Sequence, residues 1–275
     1  MGLRINSNVS AINAQRNLFN TTYSLSKSME KLSSGMRITR AGDDAAGLAI
    51  SEALKSDIRA LDQASRNALD GVSLVQTAEG ALDEVSGMLL RLRELAQQSA
   101  TDTLGDTERG YLNDEYQALL LEIDRISDSA EFNGKVLLDG SAGSLDIQVG
   151  ITSGATSQVS IDLSAAMDSA TLGLATAIDS KANALLAIDE IETASGTVAG
   201  TRGDFGAVQN RLESSIRNIG VMVENLSAAN SRIRDVDIAV ETSKMTSYQI
   251  LQQAGISVLS QANLMPQMAI SLLQR

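Results

Sequence analysis

From Leu3 to Leu32 apolar residues stand at Ile5, Val9, Ile12, Phe19, Tyr23, Leu25, Met29 and Leu32, mostly three or four apart, and predict an amphipathic helix that Gly35 interrupts. Gly42, Asp43 and Asp44 then supply a turn residue and acidic cap candidates, so the next helix is placed at about Ala45. Its seam is the clearest signal in the chain: Leu54, Ile58, Leu61, Ser65, Ala68, Val72, Val75, Ala78, Leu82, Val85, Leu89, Leu92 and Ala96 alternate spacings of three and four, with one slip at Ala78. A heptad sustained that long is the mark of coiled-coil packing.

Thr101 to Thr107 reads as a loop with Asp106 as the cap, followed by a third helix on Leu112, Tyr116, Leu119, Ile123 and Ile126. The texture changes at Asn133-Gly134. Short alternating stretches, Leu145-Asp-Ile147-Gln-Val149 and Val159-Ser-Ile161-Asp-Leu163, lie between Gly, Ser and Asp turns and predict hairpins over about residues 135–165. Helical spacing resumes at Leu185, Ile188 and Ile191, pauses over Gly196 to Gly206, and runs on through Val208, Leu212, Ile216, Ile219, Val223, Leu226 and Ile233. A last amphipathic stretch carries Ile250, Leu251, Val258, Leu259, Leu264, Ile270, Leu272 and Leu273.

The expected fold is mainly α: a long antiparallel helical bundle or coiled coil built from the N- and C-terminal segments, with a small β-hairpin region in the middle. Antiparallel return of the 185–233 segment brings both chain ends to one pole. Two weakly amphipathic terminal helices bury too little apolar area to offset their ordering entropy. They are therefore expected to be poorly ordered in a single chain and to fold when many copies pack together.

Composition narrows the chemistry. The 275 residues include no Cys, no His, no Trp and a single Pro, Pro266. Thiol and imidazole catalysis, zinc fingers and disulfide frameworks are excluded, and no metal or cofactor is expected. No Gly-x-Gly occurs and the one Gly-Lys, Gly134-Lys135, is followed by Val, so phosphate-cradling loops are missing. The acidic pairs Asp43/Asp44, Asp189/Glu190 and Asp235/Asp237 read as caps or solvated charge rather than acid–base pairs. A net charge of −12 disfavours nucleic-acid binding, and no apolar run is long enough for membrane insertion. Nor is a cleavable secretory signal readable.

Charge distribution says more than its total. Residues 1–40 carry +5, residues 41–240 carry −18, and no charged residue stands between Met245 and Gln274. A face so free of charge is expected to be covered. The basic Arg4, Arg16, Lys27, Lys31, Arg37 and Arg40 are expected to pair with acids of neighbouring copies or to stay solvated.

Particular stretches match a known family. Leu32-Ser-Ser-Gly-Met-Arg-Ile38 followed by Asp43-Asp-Ala-Ala-Gly-Leu-Ala-Ile-Ser51 resembles the N-terminal signature of bacterial flagellins. Gly206-Ala-Val-Gln-Asn-Arg211, Asn225-Leu-Ser-Ala-Ala-Asn-Ser-Arg-Ile233 with Asp235 and Asp237, and Gln249-Ile-Leu-Gln-Gln-Ala-Gly255 to Ser271-Leu-Leu273 resemble the C-terminal one.

The resemblance implies a secreted filament subunit, exported unfolded through the flagellar type III apparatus. Its implied partners are further copies of itself, an export chaperone, the filament cap and the hook–filament junction proteins. It implies that residues 1–42 with 234–275 form the inner filament core, with Ile5, Val9, Ile12, Phe19, Ile250, Leu251, Val258, Leu259, Leu264, Leu272 and Leu273 packed between copies. Residues 43–233 would form the surrounding helical bundle, with no large variable outer domain. Leu90-Arg-Leu-Arg-Glu-Leu-Ala96 resembles the segment seen by Toll-like receptor 5 of vertebrates, which implies that Arg91, Glu94, Leu95 and Glu115 contact both the receptor and other subunits. On that face Leu95 is expected to be partly exposed between charges, against the plainer reading that it packs at the edge of the seam. A hook–filament junction protein is the rival within the same export system. A carboxylate-dependent enzyme and a cytoplasmic coiled-coil scaffold are rivals from other classes.

Overall fold

The computed structural model describes residues 7–273, with side chains through Leu264. Five helices dominate: α1 Val9–Ser34, α2 Ala45–Ser99, α3 Asp106–Ser129, α4 Lys181–Arg234 and α5 Ile238–Leu273. Between α3 and α4 lie two hairpins, β1 Glu131–Phe132 with β2 Lys135–Val136, and β3 Gly143–Gln148 with β4 Gln158–Leu163. Contacts divide the chain into Met1–Ser56 with Asn225–Arg275, the terminal unit, and Asp57–Glu224, the central unit.

Helix ends follow local chemistry. The Asn8 side chain accepts from Ala11 N at 3.1 Å, and α1 ends at Gly35 in the left-handed region, φ 70°. The Asp44 carboxylate accepts from Gly47 N at 2.8 Å and opens α2. Asp237 does the same for α5, through Val240 N at 3.1 Å. These contacts satisfy orphan donors of each first turn. Asp106, expected to be the cap of α3, lies instead inside its first turn behind an extended Gly105. There its carboxylate favours the helix dipole and pairs with Arg109 at 3.4 Å.

In the central unit the α2 seam is buried as the heptad predicts, from Leu61 and Ala68 through Val75, Ala78, Leu82, Val85, Leu89, Leu92 and Ala96. It meets α4 on one side, marked at the surface by Arg202–Asp83 at 3.0 Å and Arg93–Glu192 at 3.4 Å. On the other side it meets α3, whose Tyr116 and Ile123 join the same core. The buried Arg109 closes the α2–α3 turn by donating to Ser99 O at 3.0 Å and Thr101 O at 2.9 Å.

The first hairpin turns on Asn133 (φ 51°) and Gly134 (φ 77°), the left-handed pair that a two-residue turn of this twist requires. The second pairs Leu145 with Ile161 and Ile147 with Val159, the alternation read from the sequence. Sheet structure begins at Glu131, four residues before the expected start. The Gly/Ala/Ser-rich connection to α4 is packed rather than loose, since Met167, Leu172, Leu174 and Ile178 are all buried.

The pause expected over Gly196–Gly206 does not exist, because α4 is one unbroken helix. Its buried face is Ala184, Ala187, Ile191, Ala194, Val198, Phe205, Leu212 and Ile219, again a heptad, but one carried partly by small residues. Leu185, expected in the seam, is half exposed at 50%. Each glycine costs about 1 kcal/mol against Ala in a helix interior. The apolar face on the opposite side of the helix outweighs that cost.

The terminal segments also differ from expectation. Rather than being unformed in the single chain, α1 and α5 are both helical and pack on each other.

Candidate interaction surfaces

The contact between α1 and α5 shares only Leu25, Leu32 and Leu259 with the large apolar stripes in the sequence. On α1 the inward positions are Ala11, Ala14, Leu18, Thr21, Leu25, Ser28 and Leu32, spaced three and four throughout. On α5 they are Glu241, Met245, Tyr248, Gln252, Gly255, Leu259 and Ala262, with the same alternation. Small and polar residues make up more than half of this antiparallel seam. Only Ala14, Leu25, Ser28, Glu241 and Ala262 are fully buried in it.

The larger apolar side chains point outward. Phe19 is 71% exposed and Ile250 61%, and Val9, Ile12, Leu251, Val258 and Leu264 are exposed as well. Of the expected assembly residues, Leu259 is half-buried in the seam between α1 and α5. Ile5 lies outside the described residues, as do the side chains of Leu272 and Leu273. Tracking large residues in the sequence finds the outward stripe but, of the inward seam, only Leu25, Leu32 and Leu259, because Ala, Gly, Ser and Thr hold many of its other positions.

Among the described residues the seam carries three polar contacts. Asn8 Nδ2 donates to Ala262 O at 2.7 Å, Gln252 Nε2 to Thr22 Oγ1 at 3.3 Å, and Ser28 Oγ to the Glu241 carboxylate at 2.6 Å. At the base of the pair, Met36 and Asp235 form an antiparallel bridge. Around it Arg37 N donates to Arg234 O at 2.6 Å and Val236 N to Gly35 O at 3.0 Å.

Asp43 holds the turn before α2. Its carboxylate accepts from Thr39 N and Oγ1 and pairs with Lys27 at 2.6 Å, which keeps it well below the usual carboxylate range. The basic residues near the N-terminus therefore work largely within the chain: Lys27 on Asp43, Arg40 on Glu30 at 2.8 Å, and Arg37 on Ile233 O. Arg16 likewise donates to Asn13 at 2.8 Å.

In the central unit the structure brings Arg91, Glu94 and Glu115 together. Arg91 Nε and Nη2 donate to Glu115 Oε1 at 3.0 and 2.7 Å, and Nη1 donates to Glu94 at 2.9 Å. Glu115 first and Glu94 second raise the Arg91 pKa above its ordinary value. Leu95 corrects the sequence reading. It is 1% exposed, a member of the core with Tyr116 and Leu92, because α3 covers the flank of α2 that a single-seam reading left open. The charged trio forms the surface, and Leu95 lies beneath it.

Comparison with known proteins agrees with this architecture. The family described as "Bacterial flagellin N-terminal helical region" matches residues 5–143, and "Bacterial flagellin C-terminal helical region" matches residues 188–273. The chain is 50% identical over 273 residues to the flagellin of Halalkalibacterium halodurans, covering 98% of this chain and 99% of that one. It is 42% identical to the flagellin of Bacillus subtilis, covering 99% of this chain and all of the other. The crystal structure of Bacillus cereus flagellin superposes with a TM-score of 0.51 at 33% identity, covering 60% of this chain and 94% of that one. Two seam-forming helical regions at opposite ends of the sequence, matched in order and over nearly full length, place this chain in the bacterial flagellin family, the structural subunits of the extracellular flagellar filament.

Proposed function

We propose that this subunit polymerises through the outward apolar faces of α1 and α5, which form the inner core of the filament. Residues 43–233 surround that core as a helical layer carrying the hairpins at the outside. One observation carries the reading: Val9, Ile12, Phe19, Ile250, Leu251, Val258 and Leu264 are exposed while the seam beneath them is small and polar. A soluble chain rarely leaves such a stripe open unless a partner covers it. Here the partner is another copy, since burying these faces provides the drive for assembly.

The rest of the reading follows from the same features. A terminal pair with so thin a core unfolds readily, which suits export in an unfolded state through the type III apparatus. A chaperone that shields the apolar stripes before export, and the cap and junction proteins at the two ends of the filament, complete its partners. Toll-like receptor 5 recognises the free subunit through Arg91, Glu94 and Glu115. Leu95 acts from below by holding α2 and α3 in register. Packing of subunits along the filament covers this surface.

Seeded polymerisation tests the assembly reading. Full-length protein is expected to give long filaments of uniform width, and Phe19→Ser with Ile250→Ser is expected to give none while remaining folded; filaments from that variant would refute the reading. Arg91→Ala is expected to cut receptor signalling by the free subunit, and an unchanged response would remove the receptor assignment.

A further inference from the structure

Among the described residues Glu241 is the one charged member of the α1–α5 seam, and it is only 6% exposed. A carboxylate is seldom buried unless something compensates for lost water. Burial pushes its pKa up, but the Ser28 hydroxyl and the Lys244 and Lys31 charges outweigh that and hold it below the ordinary value. It is therefore an anion at neutral pH, accepting from Ser28 at 2.6 Å on one oxygen and facing Lys244 at 3.3 Å on the other.

Such a group is a poor source of stability, since apolar side chains in place of a buried polar pair are often neutral or stabilising. What a lone polar seam residue does provide is selection of one packing arrangement over others. The need for selection is plain in this helix pair. The bridge of Met36 with Asp235 fixes where α1 ends and α5 begins, but says nothing about how each is turned about its axis. Ala, Gly, Ser and Thr hold six of the seam's fourteen positions and leave it less shape to decide this, whereas the outward face carries most of the larger apolar groups. A turn of α1 by one residue would bring Phe19 inward in place of Leu18 and change the apolar face that α1 offers at the surface. It would also strand the Glu241 carboxylate without its hydroxyl donor, and stranding a buried charge is costly.

We infer that Glu241, acting through Ser28, is a positioning residue that sets the rotational phase of α1 on α5 and so decides which apolar faces are offered to other copies. The link to other copies rests on the assembly reading above; the phase itself is a property of the single chain.

The chain has no cysteine, so the phase can be read directly by cross-linking in the full-length monomer. A Cβ built on Gly255 lies 3.9 Å from the Leu18 Cβ, within disulfide range. Leu18→Cys with Gly255→Cys therefore reports the native phase, and Phe19→Cys with Gly255→Cys the rotated one. In the otherwise native chain the first pair is expected to form the disulfide and the second to lag far behind. Adding Ser28→Ala with Glu241→Leu is expected to lower the ratio of native to rotated cross-link by roughly tenfold, the ratio that a hydrogen bond to a charged group supports. The denaturation midpoint of this variant stays equal or rises. Glu241→Gln, which keeps an acceptor for Ser28, is expected to restore the ratio.

An unchanged ratio overturns the inference. So does a ratio that falls only together with a lower denaturation midpoint, because that is the mark of a merely stabilising contact. Seeded growth then separates the two readings. Native protein that never forms filaments refutes the assembly reading but leaves the cross-linking result intact, whereas native filaments with an unmoved ratio refute the phase assignment alone.

Discussion

The two units solve the same problem, packing long antiparallel helices, in opposite ways. In the central unit large apolar residues fill the seam, with Leu82, Leu89, Leu92, Tyr116 and Ile123 essentially without water contact. In the terminal unit the seam is more than half small and polar, and most of the large apolar residues face out. Charge divides in the same way: residues 57–224 carry 27 acidic against 11 basic side chains, while the terminal unit is net positive. One unit buries its large apolar residues within the single chain, and the other leaves most of them exposed. Hydrophobic content alone does not separate a core from an interface; what separates them is which side of the helix faces the chain's own partner.

Removing α5 gives the largest expected break in this comparison. A chain lacking residues 241–275 should lose polymerisation completely and keep the helical signal of the central unit, read by sedimentation and circular dichroism. Filaments from this truncation would show that the terminal unit is not the assembly element. Truncation inside each seam should then sharpen the contrast. Leu92→Ala is expected to destabilise the central unit by about 3 kcal/mol, the usual cost of a cavity at a fully buried site. Ala14→Ser is expected to cost about 1 kcal/mol or less, as small changes do at a seam with little apolar burial. Denaturant unfolding followed at two probes, one in each unit, checks both.

Acid should act on the terminal unit through Asp43 and Glu241. Both carboxyls are held below their ordinary values: Asp43 mainly by Lys27, and Glu241 by Ser28, Lys244 and Lys31 against the opposing effect of burial. A lowered folded pKa contributes stability that is present above the unfolded pKa and is lost as pH falls toward the folded one. Loss of the α1–α5 pairing is thus expected to set in below about pH 4, where unfolded Asp and Glu begin to protonate. In Asp43→Asn that pH dependence should shrink at the price of lower stability at neutral pH. An identical acid profile would remove Asp43 as its source.

Most of the fold was legible in the sequence wherever large apolar residues carried the period. The α2 heptad, the short α3 and the alternation of β3 and β4 were read from residues that are buried or half-buried in the structure. Where Ala and Gly carry the period the signal weakens, because hydropathy barely separates them from a polar residue. That is why α4 was broken at Gly196 and why, of the α1 seam, only Leu25 and Leu32 were read. Leu95 failed for another reason: one helix with two covered flanks looks, in sequence, like one seam with an exposed neighbour. Glu241 gave no signal at all, since nothing in a single sequence marks a carboxylate that ends up buried.

The smallest expected effect concerns the core that appears finished. Tyr116 is fully buried, yet its hydroxyl has no hydrogen-bond partner among the described residues, and burial foremost, with Glu190 second, pushes its pKa up to about 12. A buried hydroxyl without a partner costs desolvation and returns nothing. Tyr116→Phe keeps the ring against Leu92 and Leu95 and deletes that cost, so stability should stay within about 0.5 kcal/mol of the native chain or rise by about 1 kcal/mol. A loss of about 2 kcal/mol would instead mean that the hydroxyl is held by a buried water, as conserved buried waters hold otherwise unpaired groups. The central unit would then share with the terminal one a polar group at its centre, and the contrast between them would rest on the outward faces alone.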